Sequence, residues 1–158
     1  MLDKEFKNPV RIQDMNKAIK SFINKHIIGI VSTSNDRSVH AVPIYYHYID
    51  HENAFYFFTR TASKKYSNLE KNNKASFTIF NEDPPVVFTA DCEAELLNID
   101  EGNYSDIFIK LVEIHSSQLG YPTPISTMAE GLLTLVKLNI IDFNYKSYIQ
   151  DINSLKSS

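Results

Sequence analysis

Residues 86–97, "VVFTADCEAELL", alternate without a break. Val86, Phe88, Ala90, Cys92, Ala94 and Leu96 stand against Val87, Thr89, Asp91, Glu93 and Glu95. A period of two is the signature of a strand. One apolar face against one mostly polar face belongs to an antiparallel sheet, with core on one side and water on the other.

The neighbouring sequence extends this reading. "HIIGIVSTSNDRSVHAVPIYYHYIDHENAFYFFT" breaks into three strands: Ile27–Thr33, Val39–Ile49 and Phe55–Thr59. They are joined by an Asn- and Asp-containing turn at Ser34–Ser38 and by "DHEN". In the second strand Val42, Ile44, Tyr46 and Tyr48 share one face, and Ala41, Pro43, Tyr45 and His47 the other. "KASFTIF" is the fourth strand, 86–97 the fifth, and "LLTLVKLNIIDFNY" the sixth.

Helical spacing predicts a helix over 12–24, through Ile12, Met15, Ile19, Phe22 and Ile23, and another over 63–72. A third, over 101–117, carries a stripe of Tyr104, Ile107, Phe108, Leu111, Val112 and His115. "GYPTPIS" reads as a loop. Helices inserted among hairpin-linked strands make an α+β fold, built on an antiparallel barrel or sandwich. No internal repeat or domain seam interrupts residues 1–150, and 151–158 read as a frayed tail.

Composition narrows the function classes. A net charge of −3 and a pI near 5.9 argue against a nucleic-acid partner, which calls for a basic stripe. The single cysteine, Cys92, excludes an intrachain disulfide and a multi-cysteine metal site, and reads as a small core residue. No apolar run reaches membrane-spanning length, and the start lacks an export signal, so a cytoplasmic setting is expected. His40 and His47 fall on opposite faces of one strand and do not chelate together. With His51 and His115 they read as isolated surface or hydrogen-bonded residues, so no metal site is expected.

One stretch resists a purely structural account. In "FYFFTRTASKKYSNLEKNN" two lysines open a helix, where the backbone dipole disfavours positive charge. A phosphate resolves the conflict. The first turn offers unpaired N–H groups, Thr59 and Ser63 offer hydroxyls, and Lys64 and Lys65 offer charge. Gly is absent from residues 30–101, so this is no glycine-rich phosphate loop. Taken alone, the residues leave a second reading open, in which the lysines face solvent and Ser63 is only an N-cap.

The order of these pieces resembles the FMN-binding split-barrel family, which includes pyridoxamine 5′-phosphate oxidase and the general-stress flavoproteins. The resemblance runs from about Ile27 to Leu97. It rests on the mid-strand Val-Pro of "HAVPIYY", the aromatic-Thr end of "FYFFT", the Ser-Lys-Lys helix start, the "LEKN" stretch, and the Ala-Glu of the fifth strand. It implies a split β-barrel and a homodimer with the flavin between subunits. FMN is the implied cofactor, its phosphate held by Thr59, Ser63, Lys64 and Lys65, with Phe58 just before them. The ring would lie along the backbone of Val42 and Pro43, near His40.

The sequence departs from the oxidase itself. His40 and Tyr45 stand where that enzyme carries a basic pair, Val87 replaces a flavin-reaching glutamine, and no Trp-, Arg- and His-rich substrate segment is present. Vitamin B6 oxidation is therefore not expected. The resemblance implies instead a flavin-dependent oxidoreductase acting on an unidentified small molecule with an unidentified electron donor. The alternative is a barrel that holds flavin, haem or a deazaflavin without catalysis.

Overall fold

In the computed structural model, which describes residues 15–116 and 131–148, every strand pairing is antiparallel. The strands are β1 (Ile28–Ser34), β2 (Val39–Tyr45), β3 (His47–Ile49), β4 (Ala54–Arg60), β5 (Lys74–Asn81), β6 (Val86–Leu97) and β7 (Leu133–Ser147). They lie in the order β2-β1-β5-β6-β7-β4-β3. Three helices flank the sheet: α1 (Lys17–Lys25), α2 (Lys64–Lys71) and α3 (Ser105–Ser116).

The two edge strands, β2 and β3, are separated in sequence by Tyr46 alone, so the sheet curls until its edges meet there. On one side of Tyr46 the chain pairs with β1, and on the other with β4. No ladder joins β2 to β4, and the barrel is split along that line. This is the antiparallel split barrel expected, with one correction: the expected second strand is two strands, giving seven and not six.

Tyr46 is the reason for the division. Its N–H donates to the Ile27 carbonyl at 3.0 Å and its hydroxyl to the Ile23 carbonyl at 2.6 Å. Its ring packs edge-on against Phe55 and Phe77, at 5.3 and 5.2 Å. The residue belongs to the core, and the chain changes partner around it. Alternation continues through the change, so periodicity alone gives no sign of it.

Two helix starts also differ from expectation. α1 begins at Lys17 because the Asn16 side chain accepts the Ile19 N–H at 3.0 Å, an N-cap that ends the helix backwards. Residues 12–14 lie outside the described residues. α3 begins at Ser105, since Ile99–Glu101 form a 3-10 turn capped by Asn98. α2 starts where expected, at the Ser63 cap. The loop "GYPTPIS" and the tail 151–158 lie outside the described residues.

The barrel interior is filled by aromatic side chains. Phe55, Phe77, Phe88 and Phe143 are sealed from solvent, with Leu69 of α2 and Ile23 of α1 packed at the periphery of the same cluster. Gly29 admits Phe77, whose ring a Cβ at that position would meet at 2.2 Å. A second cluster, Ala54, Tyr56, Leu135 and Leu111, joins the outer face of β4 and β7 to α3. Among the described residues, no helix is long and apolar enough to cross a membrane.

Candidate functional site

The link from β4 to α2 is built from short-range contacts. Along β4, Phe55, Phe57 and Thr59 point inward, and Thr59 is fully buried. Its hydroxyl lies 2.7 Å from that of Ser63, whose oxygen also accepts the Tyr66 N–H at 3.2 Å and so caps α2. The turn between them is held from outside. Thr61 exchanges hydrogen bonds with Leu132 through its N–H and its hydroxyl, both at 3.0 Å, and Arg60 donates to the Gly131 carbonyl at 3.1 Å. Gly131 has φ +85°, and a Cβ there would sit 2.7 Å from the Ala62 nitrogen, so only glycine fits.

α2 is fixed along its length as well. The buried Asn68 amide donates to the Thr33 hydroxyl at 3.1 Å and accepts from the Asn35 amide at 2.9 Å. One turn on, Asn72 donates to Ser34 at 3.2 Å. The helix is thereby bound to the end of β1 and the turn into β2.

That N-terminus is electropositive and unanswered. The Ser67 N–H is taken by the Ser63 carbonyl and that of Tyr66 by the Ser63 hydroxyl, which leaves the N–H groups of Lys64 and Lys65 without acceptors among the described residues. Four other lysines among the described residues have carboxylate partners: Lys20, Lys74, Lys110 and Lys137. Lys64 and Lys65 have none there. Lys64 is exposed and Lys65 half-buried, and burial holds the Lys65 ammonium below its ordinary pKa. Two free N–H groups, two cations and a capping hydroxyl form a donor set that suits a phosphate dianion.

The three β2 residues occupy a separate wall. His40 pairs with Thr33, Val42 with Val31 and Pro43 with Ile30. Val42 points inward against the core, while Pro43 is exposed on the outer face. Because the Tyr46 N–H bonds Ile27, the register turns the backbone groups of His40, Val42 and Ile44 toward β1. Those of Ala41, Pro43 and Tyr45 face the free edge. Proline is tolerated there because its missing N–H has no ladder partner to lose.

Outside this edge are two grooves. One of about 460 Å³ is lined by His26, Ile28, Ile30, Pro43, Thr78 and Phe80, among others. Another of about 500 Å³ includes Ser32, Ser76, Asp91 and Ile141. Neither reaches the lysines at the start of α2. Val87 lies on the outer face of β6, half-buried.

Phe58 lies under α3, its ring 5.2 Å from Phe108 and 6.1 Å from His115. His115 in turn meets Tyr45 edge-on at 4.7 Å. This corrects the reading of His115 as a surface or hydrogen-bonded histidine: it is buried, and among the described residues neither ring nitrogen has a hydrogen-bond partner. Its place on the apolar stripe of α3 was visible in the sequence, whereas its juxtaposition with Tyr45 and Phe58 required the fold. The Asn35–Asn68–Thr33 network was likewise invisible, because the three residues are distant in sequence.

Comparison with known proteins agrees with this architecture. The family described as pyridoxamine 5′-phosphate oxidase matches residues 15–140. An FAD-binding protein from Mesorhizobium loti is 15% identical, covering 81% of this chain and 90% of its own, with a TM-score of 0.63. A pyridoxamine 5′-phosphate oxidase-related, FMN-binding protein from Nostoc punctiforme is 13% identical, covering 83% and 82%, with a TM-score of 0.59. General stress protein 26 from Bacillus anthracis is 16% identical, covering 80% and 92%, with a TM-score of 0.58. No curated protein matches the sequence. At these identities the structural likeness is one of fold, but the family match spans most of the chain: the chain belongs to the pyridoxamine 5′-phosphate oxidase family.

Proposed function

We propose that this protein binds FMN, with the phosphate at the start of α2 and the ring along the free edge of β2, and that it works as a flavin-dependent oxidoreductase. The observation that carries this reading is the unanswered charge at α2: Lys64, Lys65 and two free N–H groups, with no carboxylate among the described residues paired to either lysine. Names borne by fold neighbours, one FMN-binding and one FAD-binding, support a flavin more broadly.

The residues have distinct tasks. Lys65, half-buried, gains most from a phosphate, which offsets the burial that now weakens its charge. Ser63 and the N–H groups orient the phosphate oxygens. The free edge of β2 offers backbone groups of Ala41, Pro43 and Tyr45 to the polar rim of the ring. Bound flavin supplies the hydride chemistry itself, so no acid, base or nucleophile is required of the chain. The substrate is a small molecule other than the vitamin B6 vitamer, since His40 and Tyr45 replace the oxidase's basic pair and Val87 its flavin-reaching glutamine.

A homodimer is part of the proposal. Ile28, Ile30 and Phe80 are 47%, 44% and 57% exposed on one outer face beside Pro43, an apolar surface suited to a second copy.

The test is the visible absorption spectrum of freshly purified protein, followed by titration of FMN and of riboflavin into wild type and Lys65→Ala. A charge-assisted hydrogen bond is worth about 1.5–3 kcal/mol, so the variant should bind FMN roughly ten- to a hundredfold more weakly. Riboflavin, lacking the phosphate, should be little affected. Equal FMN affinity in both proteins would return the lysines to a solvated helix face. Bleaching of the bound flavin by a nicotinamide donor separates the oxidoreductase from the second reading, a non-catalytic holder of flavin, haem or a deazaflavin. The replacement of the basic pair by His40 and Tyr45 favours that second reading.

A further inference from the structure

His115 occupies the last turn of α3 with 5% of its surface exposed, and among the described residues neither ring nitrogen has a hydrogen-bond partner. Buried polar side chains in folded proteins are nearly always paired, and each exception asks for a cause. Here the ring is held by its faces and edges alone. Tyr45 meets it at 4.7 Å with planes at 70°, and Phe58 lies roughly parallel at 6.1 Å. Aromatic contacts on that scale fix orientation and leave the nitrogens idle.

The position of those two aromatics gives the arrangement its meaning. Tyr45 ends β2 and Phe58 lies two residues before the end of β4. Continuing the β3–β4 register, in which His47 faces Tyr56, sets Tyr45 opposite Phe58. His115 therefore stands over the point where β2 parts from β4. At that point the free edge of β2 begins, and β4 leads on toward the anion site at α2. Burial lowers the imidazole's pKa below its ordinary value, so the ring is neutral and has one N–H to donate and one nitrogen to accept with.

We infer that His115 is a ligand-contacting residue, whose ring nitrogens hydrogen-bond the polar edge of the flavin ring system held along the β2–β4 split. This rests on the flavin reading above and deepens it by assigning a contact to the ring. The chemistry is matched: the ring's polar edge offers carbonyl acceptors and an N–H donor, and a neutral imidazole answers either. The phosphate is not the partner, because a neutral group walled by Tyr45 and Phe58 has no charge to offer it.

The experiment compares His115→Phe and His115→Gln with wild type in two measurements. In thermal melts of ligand-free protein, His115→Phe should melt no lower than wild type, because it keeps the aromatic packing and removes the unpaired nitrogens. In titrations it should weaken FMN and riboflavin by the same factor, roughly three- to tenfold. His115→Gln, which keeps a donor and an acceptor, should recover part of the loss, and the His115 imidazole nitrogen resonances should shift when riboflavin is added to wild type. Lys65→Ala run alongside should affect FMN alone, which separates the ring contact from the phosphate site. Unchanged affinity in both His115 variants, a loss confined to FMN, or resonances indifferent to riboflavin would overturn this inference and leave the phosphate reading standing. Failure of wild type to bind either flavin would overturn both.

Discussion

The hydroxyls of Thr59 and Ser63 lie 2.7 Å apart and tie the last inward residue of β4 to the cap of α2. Thr59 is completely buried, and its hydroxyl sets the position of the Ser63 oxygen. Thr59→Val keeps the shape and deletes the hydroxyl. It should cost about 1 kcal/mol of stability, and Ser63→Ala about 1–2 kcal/mol through the lost cap and the orphaned threonine. Because the two share one hydrogen bond, the double variant should cost less than the sum. Urea denaturation of the four proteins decides this, and strict additivity would mean that the hydroxyls do not cooperate.

Asn68 carries a larger load. Its amide is buried and bonded on both sides, to Thr33 at 3.1 Å and Asn35 at 2.9 Å. Asn68→Ala strands the Thr33 hydroxyl inside the barrel end and frees α2 from β1. The expected loss is about 2–3 kcal/mol, more than either hydroxyl variant. FMN affinity should fall with it, because the helix whose N-terminus presents Lys64 and Lys65 loses its anchor. A variant as stable as wild type would show that Leu69 packing alone holds the helix.

These contacts mark how far the sequence could be read. Strand β6 was legible to the residue, since each of its inward positions is apolar and no turn chemistry intrudes. The start of α2 was legible because a serine followed by two lysines poses a local electrostatic problem with few solutions. The division of residues 39–49 was not, because Tyr46 keeps the alternation while the chain changes partner, and pairing is a property of distant strands. The α1 start was misplaced since Met15 fits the helical spacing, although Asn16 ends the helix. His115 illustrates the general limit. A histidine on an apolar stripe announces burial, but whether its nitrogens find partners depends on Tyr45 and Phe58, seventy and fifty-seven positions away (115 − 45 and 115 − 58).

Stability should depend on pH in a defined direction. Burial depresses the pKa of His115 below 6.5, and burial together with the Lys110 charge depresses that of His47. In the window between the folded values and 6.5 the unfolded chain binds more protons than the folded one, so stability rises with pH there. It is fully present above 6.5 and lost as pH falls through the folded values. The urea midpoint of ligand-free protein should accordingly drop between about pH 7 and about pH 5, before most carboxylates titrate. His115→Phe should flatten that slope, leaving the His47 share. A midpoint that rose on acidification would contradict the burial of both imidazoles.

The proposed homodimer gives the remaining test. Ile30 and Phe80 alternate outward on β1 and β5, and with Ile28 and Pro43 they line one groove of about 460 Å³. Apolar side chains this exposed cost nothing to replace in an isolated barrel but a great deal at the centre of an interface, where single anchors account for about 2 kcal/mol or more. Phe80→Glu places a charge at such a centre, and in a symmetric dimer it does so twice. Sedimentation velocity at micromolar concentration should show wild type at twice the 18.1 kDa chain mass and Phe80→Glu at the chain mass. The circular dichroism of the two should be the same, since Phe80 lies outside the barrel core. Flavin affinity measured on the same samples then shows whether the site needs both copies. If it does, Phe80→Glu should weaken FMN and riboflavin together, although the lysines at α2 are untouched. A wild-type protein that sediments as a monomer with FMN present would sink the dimer and assign the apolar face to some other surface.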